Sequence, residues 1–407
     1  MLIKSLIMLA WRSLCFRRNA VLITVLSIAV STFTLFSVEH LRQAVKLGFT
    51  HSVSGVDLIV GPRTSDINLL LTTVFRIGQA SQNMSWKSYK DLSGHPNVAW
   101  AIPISLGDSH KGFRVVGTQQ QFFSHFKYGQ SRALVFASGF AFEKASDVVV
   151  GASVARELEY TLGQKLIIAH GMGRTSFQRH DAFPFRISGI LKPTGTPVDN
   201  ALYVSLAGLE AVHQPAAGYT PQRDKNTLEP KGISAAMLGL NSKFSTFKVQ
   251  REVNTSSSEP LTAILPGVTL MQLWQISQGV ENVLNLMAQL ILFASLLGMG
   301  AVIMTALRER AYEFSVLRTL GARPSLIFIL IQAEALLISI MGIVLGGVMF
   351  ILMVLIIGHD VAANYGLDIS INQISSDHGY TVLSIITAAT IVGCVPALTG
   401  YLQNRNT

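Results

Sequence analysis

Apolar residues gather into long uncharged runs at the two ends of the chain and into short alternating runs in its middle. Ala20 to Val38 carries no charge, nor do Val283 to Leu307 and Tyr380 to Leu402, while Ile327 to Gly358 carries one, Glu334. A helix needs about 20 predominantly apolar residues to cross a bilayer, so the pattern predicts four spans. Ahead of the first, Leu2 to Phe16 sets Ile3, Leu6, Ile7, Ala10 and Leu14 at helical spacing among Lys4, Ser5, Arg12 and Ser13. That stretch is too short and too basic to span, and it predicts an amphipathic helix lying in the interface. The apolar run after it continues through Phe36 with no small-residue cleavage pattern, which reads as a retained anchor rather than a removable leader. Glu39, His40, Arg42 and Lys46 extend the helical pattern beyond the span.

Residues 47–272 have ordinary polarity. Strands are predicted at Val56–Val60, Val98–Ile104, Gly112–Val116, Asp147–Val150, Lys165–Ala169, Phe185–Leu191 and Ala201–Val204, with helices at Ser153–Tyr160 and Ser205–His213. Strands mixed with helices argue for an α/β domain. Two looser stretches, 218–232 and 254–260, suggest a variable subdomain over about 215–260, with strands at Ile233–Leu240 and Phe247–Val253. The expected fold is a polytopic α-helical membrane protein with four transmembrane helices. A large α/β domain is inserted between the first and second.

Composition agrees. Only 14% of residues are charged, against about 25% in a soluble domain. The net charge of +9 does not point to nucleic acid, because no basic-aromatic module accompanies it. Many of the cations sit at the ends of apolar runs, as topology requires. The tail has Lys4, Arg12, Arg17 and Arg18 and no acid; the loop after the second span has Arg308, Arg310, Arg318 and Arg323; the segment 359–379 has no Lys or Arg. Tail, Arg-rich loop and C-terminus are therefore expected on the cytoplasmic side, and the large domain outside. The two cysteines, Cys15 and Cys394, lie beside or within apolar runs, so no disulfide framework holds the middle domain.

Nothing in the chain resembles a hydrolytic site. There is no phosphate-binding G-x-x-x-x-G-K-[ST] loop, no G-x-S-x-G elbow and no H-E-x-x-H pair. The lone Gly171-Met-Gly173 reads as a hairpin loop. His110, His125, His170, His180 and His213 lack the close spacing that metal sites favour. The expectation is a non-enzyme with no metal and no cofactor of its own.

The segment Arg308-Glu-Arg-Ala-Tyr-Glu-Phe-Ser-Val-Leu-Arg-Thr-Leu-Gly-Ala-Arg323 mixes both signs at helical spacing. Glu309 and Glu313 lie four apart, and Leu317 and Leu320 fall near one apolar side. A short helix along the membrane surface would offer Arg308, Glu309, Arg310, Glu313 and Arg318 with two leucines to a partner. Gly321 allows a tight C-terminal turn and Pro324 restarts a helix. The other reading is a merely basic loop that obeys topology. Glu334, an acid in a spanning run, either pairs with an arginine of this loop or of the N-terminal helix, or snorkels to the interface. Glu281, Asn285 and Gln289 share one face of the second helix. That face lines a dimer axis or forms a stalk above the lipid.

These residues resemble the permeases of the MacB, LolC and FtsX group of ABC transporters, the mechanotransmission class, and MacB-like permeases most of all. The resemblance also rests on Gln332-Ala-Glu-Ala-Leu336, on Ala10-Trp-Arg-Ser-Leu-Cys-Phe-Arg-Arg18, and on Val148–Ala155, Gly163, Phe185–Leu191 and Asp199–Val204 in the middle domain. It implies a bacterial inner-membrane chain with a cytoplasmic amphipathic helix (1–18) and a first span with its stalk (19–46). A periplasmic domain (47–272) follows, then a second stalk and span (273–307) and a coupling loop (308–324). The third span (325–358), an outer loop (359–379), the fourth span (380–403) and a tail (404–407) complete it. It implies a separate cytoplasmic ABC ATPase, which holds ATP and magnesium and docks on the coupling loop. It further implies a homodimer or a heterodimer with a similar permease, a periplasmic or lipid-anchored partner, and contact with membrane lipids. The function so implied is mechanotransmission for extraction or efflux of a lipoprotein, peptide or small amphiphile. Regulation of a periplasmic hydrolase or sensor, and support of nutrient or metal acquisition, are the alternatives.

Overall fold

The computed structural model describes the chain apart from residues 1, 53, 80–81, 130, 171–182, 214–227, 313–315, 317–318, 320–322, 366–375 and 406–407. The chain divides into two compact units. One comprises Met1–Ala44, Gln278–His359 and Ile369–Thr407, and the other Val45–Ser277 with Asp360–Asp368.

The first unit is helical. Leu2–Phe16 is a helix, Arg17 turns the chain, and Arg18–His51 follows as one helix. The others are Pro266–Glu309, Pro324–Tyr365 and Ser376–Arg405. Four helices are long and apolar enough to cross a membrane. The third runs past Gly358 to Tyr365 and the fourth begins at Ser376, so the described residues of the expected outer segment 359–379 are helix. Val361, Ala362 and Ala363 continue the helical run without a breaker.

Close approach in this unit uses small residues. Gly342 and Gly346 lie four apart on the third long helix and face the first. A Cβ on Gly342 would stand 2.6 Å from Ile28 Cγ2, and one on Gly346 2.5 Å from the Ala29 carbonyl oxygen. Lipid tails give no hydrophobic drive for helices to associate, so close packing at small residues holds them together. Hydroxyls add to it. Ser27 donates to Ser295 Oγ at 3.0 Å, and Ser31 and Ser295 share a hydrogen bond of 2.8 Å.

The second unit is built on a mixed sheet. Among the described residues its main path runs Leu261–Ile264, Leu58–Pro62, Ala235–Leu240, Val98–His110, Phe113–Thr118, Ala201–Ser205, Asp147–Val150, Phe185–Leu191 and Phe136–Gly139. Ala201–Ser205 is parallel to Phe113–Thr118, and Phe185–Leu191 to Asp147–Val150; the other neighbours on this path are antiparallel. Several strands are continuous apolar runs because both faces are covered. Ile59, Val149 and Tyr203 enter one core, while Val148, Val150, Leu202 and Val204 enter a second and Leu58 and Val60 a third. That split follows the two-residue period of a strand.

The expected subdomain over 215–260 is corrected here. Ala235–Leu240 lies inside the main sheet, paired on both sides with Leu58–Pro62 and Val98–His110. Phe247–Val253 is not a strand but part of a helix, Thr246–Asn254. Val249 and Val253, four apart, are buried, whereas Phe247 is 69% exposed. The period is helical, and β-branched composition had suggested otherwise. The expected hairpin at Gly171 and residues 214–227 of the expected subdomain lie outside the described residues.

Two buried polar groups stiffen this unit. Arg76, in left-handed backbone at φ 58°, donates to the Pro197 carbonyl at 2.7 Å and to the Tyr203 hydroxyl at 2.8 Å. His110 bridges the Ile167 carbonyl and the Tyr160 hydroxyl, each at 2.6 Å. Burial holds its pKa below the usual histidine value, opposed by the bond to Ile167 and assisted by Lys111. A group depressed on folding contributes stability in its neutral form, and that stability is lost as pH falls from the ordinary value of 6.5 through the folded one. The second unit should therefore unfold at lower temperature at pH 5 than at pH 7.5. His110→Phe should flatten the dependence, and an unchanged slope in scanning calorimetry would refute its origin in this histidine.

Candidate functional site

The second long helix continues through Glu309, and the Arg310 amide still bonds to the Ala306 carbonyl at 3.2 Å. Arg308 and Glu309 thus close the spanning helix instead of opening a separate coupling loop at 308. Ala306 and Leu307 are buried and keep the last turn packed, and a cation there suits the negative end of the helix dipole.

Three elements are fastened together around this helix end. Arg310 Nη1 donates to Glu334 Oε1 at 2.9 Å and to Ser13 Oγ at 2.6 Å. It joins the N-terminal helix, the second long helix and the third. Arg17 Nη2 lies 2.8 Å from Glu309 Oε2 and donates to the Ala306 carbonyl at 2.9 Å. That carbonyl also accepts from the Arg310 amide, so Arg17 binds the last closed turn of the helix, where a cation suits the negative end of the dipole. Glu334 is 5% exposed. Of the partners the sequence left open for it, the structure supplies Arg310.

Arg310 is therefore turned inward and committed within the chain, unlike a residue displayed to a partner. Glu309 is tied to Arg17 yet keeps a side chain 63% exposed. Arg308 is exposed, as are Ala311, Tyr312, Val316 and Thr319 beyond it. Glu313, Leu317, Arg318, Leu320 and Gly321 lie outside the described residues.

Further back along the same helix, about four turns after its start at Pro266, Glu281 approaches Arg42 at 4.0 Å, and Arg42 pairs with Glu39 at 2.7 Å. Glu281 thus meets the first helix. Asn285 is half-buried and Gln289 exposed on the same side. Sequence reasoning missed Arg17 and Ser13 as parts of the site. Arg17 counted only as one of the basic flank, and its position beside the helix break was the one signal available.

Residues 20–255 match the sequence model of the MacB-like periplasmic core domain, and residues 285–405 that of the FtsX-like permease C-terminal domain. The chain belongs to the MacB/FtsX group of ABC transporter permeases. Solved structures similar to this permease include the periplasmic region of MacB from Actinobacillus actinomycetemcomitans, at 12% identity and a TM-score of 0.35, covering 60% of this chain and 98% of that one. Another is the extracellular domain of the noncanonic ABC-type transporter YknZ from Gram-positive bacteria, at 13% identity and 0.31, covering 51% and 98%. A search of curated proteins finds no match. The permease is a membrane protein with a MacB-like periplasmic domain, and permeases of this group work with cytoplasmic ABC ATPase partners.

Proposed function

We propose that this permease sits in a bacterial inner membrane and converts ATP binding and hydrolysis by a separate cytoplasmic ATPase into movement of its periplasmic domain. ATP and magnesium belong to that ATPase. The observation that carries the reading is the continuity of the second long helix. Its 44 residues extend about 66 Å, roughly twice the hydrocarbon core of a bilayer. It begins two residues after the sheet strand Leu261–Ile264 and ends at the Arg17–Glu309 and Arg310–Glu334 pairs. A displacement at that pinned end is passed along one uninterrupted helix to the strand.

The exposed segment starting at Ala311 is the docking surface for the ATPase, with residues through Gly321 completing it. The permease acts as a dimer, with itself or with a similar chain, and Asn285 and Gln289 lie on the side facing the second copy. Cargo is extracted or expelled on the periplasmic side without crossing the bilayer, and a lipoprotein, a peptide or a small amphiphile fits that route. A periplasmic or lipid-anchored protein receives it.

The test is copurification. Tagged permease from gently solubilised native membranes should bring down an ABC ATPase, identified by mass spectrometry. Tyr312→Glu with Val316→Glu, at positions 80% and 40% exposed, should abolish that capture while insertion stays normal. Capture that survives the double change would overturn the docking assignment.

A further inference from the structure

A groove at the end of the bundle that carries the N-terminal helix is bordered by the Arg17–Glu309 pair. It lies between the start of the first long helix and the end of the second, with a cavity of about 520 Å³. Its two parts differ in chemistry. Ala20, Ala301 and Val302 form apolar walls, and Arg17, Arg18 and Asn19 stand at the mouth. Arg17 is already held by Glu309 and the Ala306 carbonyl. Arg18 and Asn19 are exposed, and none of the ion pairs among the described residues uses Arg18. The surface around the groove is apolar: Phe16 is 90% exposed, Ile23 69% and Leu22 61%.

We propose that this groove binds an anionic phospholipid. The phosphate rests on Arg18 and Asn19, and one acyl chain lies along Ala20, Ala301 and Val302. Charge complementarity selects this occupant. The lining sets two guanidiniums, Arg17 and Arg18, against the single carboxylate of Glu309, which Arg17 already holds, so Arg18 leaves an uncompensated positive charge, and arginine presents paired donors that fit phosphate oxygens. The apolar walls require a chain behind the phosphate, which a soluble anion lacks. A zwitterionic head would bring its own cation towards Arg18 and lose the advantage. A lipid seated there fills the space beside Glu309 and supports the end of the helix that carries the coupling segment.

The experiment uses the purified full-length permease in lipid nanodiscs of equal phosphatidylglycerol and phosphatidylcholine. Native mass spectrometry after mild detergent stripping counts the lipids retained. Wild-type protein should keep phosphatidylglycerol in preference to phosphatidylcholine. Arg18→Gln should lower that preference about fivefold, the effect of one arginine at an anionic surface. Ala301→Phe, at an exposed position, should remove retention by filling the slot. Excess glycerol phosphate should not displace the lipid. Equal retention of both lipids, an unchanged preference in Arg18→Gln, or displacement by glycerol phosphate would each overturn the proposal. Both leaflets have the same composition, so the result does not depend on membrane orientation or on the ATPase assignment.

Discussion

Arg310→Met should destabilise the helical bundle by about 3–5 kcal/mol, the usual effect of removing one partner from a buried ion pair. The reason lies with the residue left behind. Glu334 is 5% exposed and receives the guanidinium at 2.9 Å, so the substitution leaves a carboxylate in an apolar interior. Ser13 loses its bond to the same cation, which removes one of the ties between the N-terminal helix and the end of the second. The double variant, Arg310→Met with Glu334→Met, should recover most of the loss, because well-packed apolar groups often replace a buried pair at little cost. Thermal unfolding in detergent, with the three variants side by side, measures both effects. A double variant no better than the single one would mean that the pair is not the source of the loss. If the double variant is stable but no longer captures the ATPase, the pair acts in positioning the coupling segment and not merely in folding.

Gly346→Leu should be at least as damaging, by more than about 3 kcal/mol, the upper end of ordinary overpacking. A Cβ there would meet the Ala29 carbonyl oxygen at 2.5 Å and the Thr32 Cβ at 2.8 Å. Both belong to or stand next to the backbone of the first long helix, which cannot yield as a side-chain tip can. The first and third long helices must part, and the contacts of Ile28 with Gly342 go with them. Gly347→Ala is the control: its Cβ would meet only Phe36, at 3.9 Å, and alanine favours a helix over glycine by about 1 kcal/mol. The monodisperse fraction after heating in detergent separates the outcomes. Equal tolerance of both changes would show that the close helix contact is not needed.

The spans were legible because a bilayer imposes a length and forbids charge, and both constraints are local in sequence. Ala20–Val38 and Val283–Leu307 meet them without reference to any other part of the chain. Strands buried on both faces were legible for a similar reason, as in Asp147–Val150 and Ala201–Val204, whose apolar runs are short and bounded. Thr246–Asn254 was misread because a nine-residue segment with scattered valines satisfies either period until one knows that Val249 and Val253 are covered and Phe247 is not. Ala235–Leu240 was assigned to a side domain because polar stretches flank it. Its place in the main sheet depends on partners more than a hundred residues away.

By itself, the sequence determined the class of the molecule and its four helices long and apolar enough to cross a membrane. It also marked Glu334 as an acid that needs a partner, since a carboxylate in an apolar run stands out whatever surrounds it. It did not choose the partner. Arg308, Arg310, Arg318, Arg323 and Arg17 are equivalent in charge, and distance along the chain does not rank them. Only the tertiary structure decided that Arg310 turns inward to Glu334 and Ser13 while Arg17 takes Glu309. Ion pairing is decided within a few ångströms, and that proximity is set by how the helices pack.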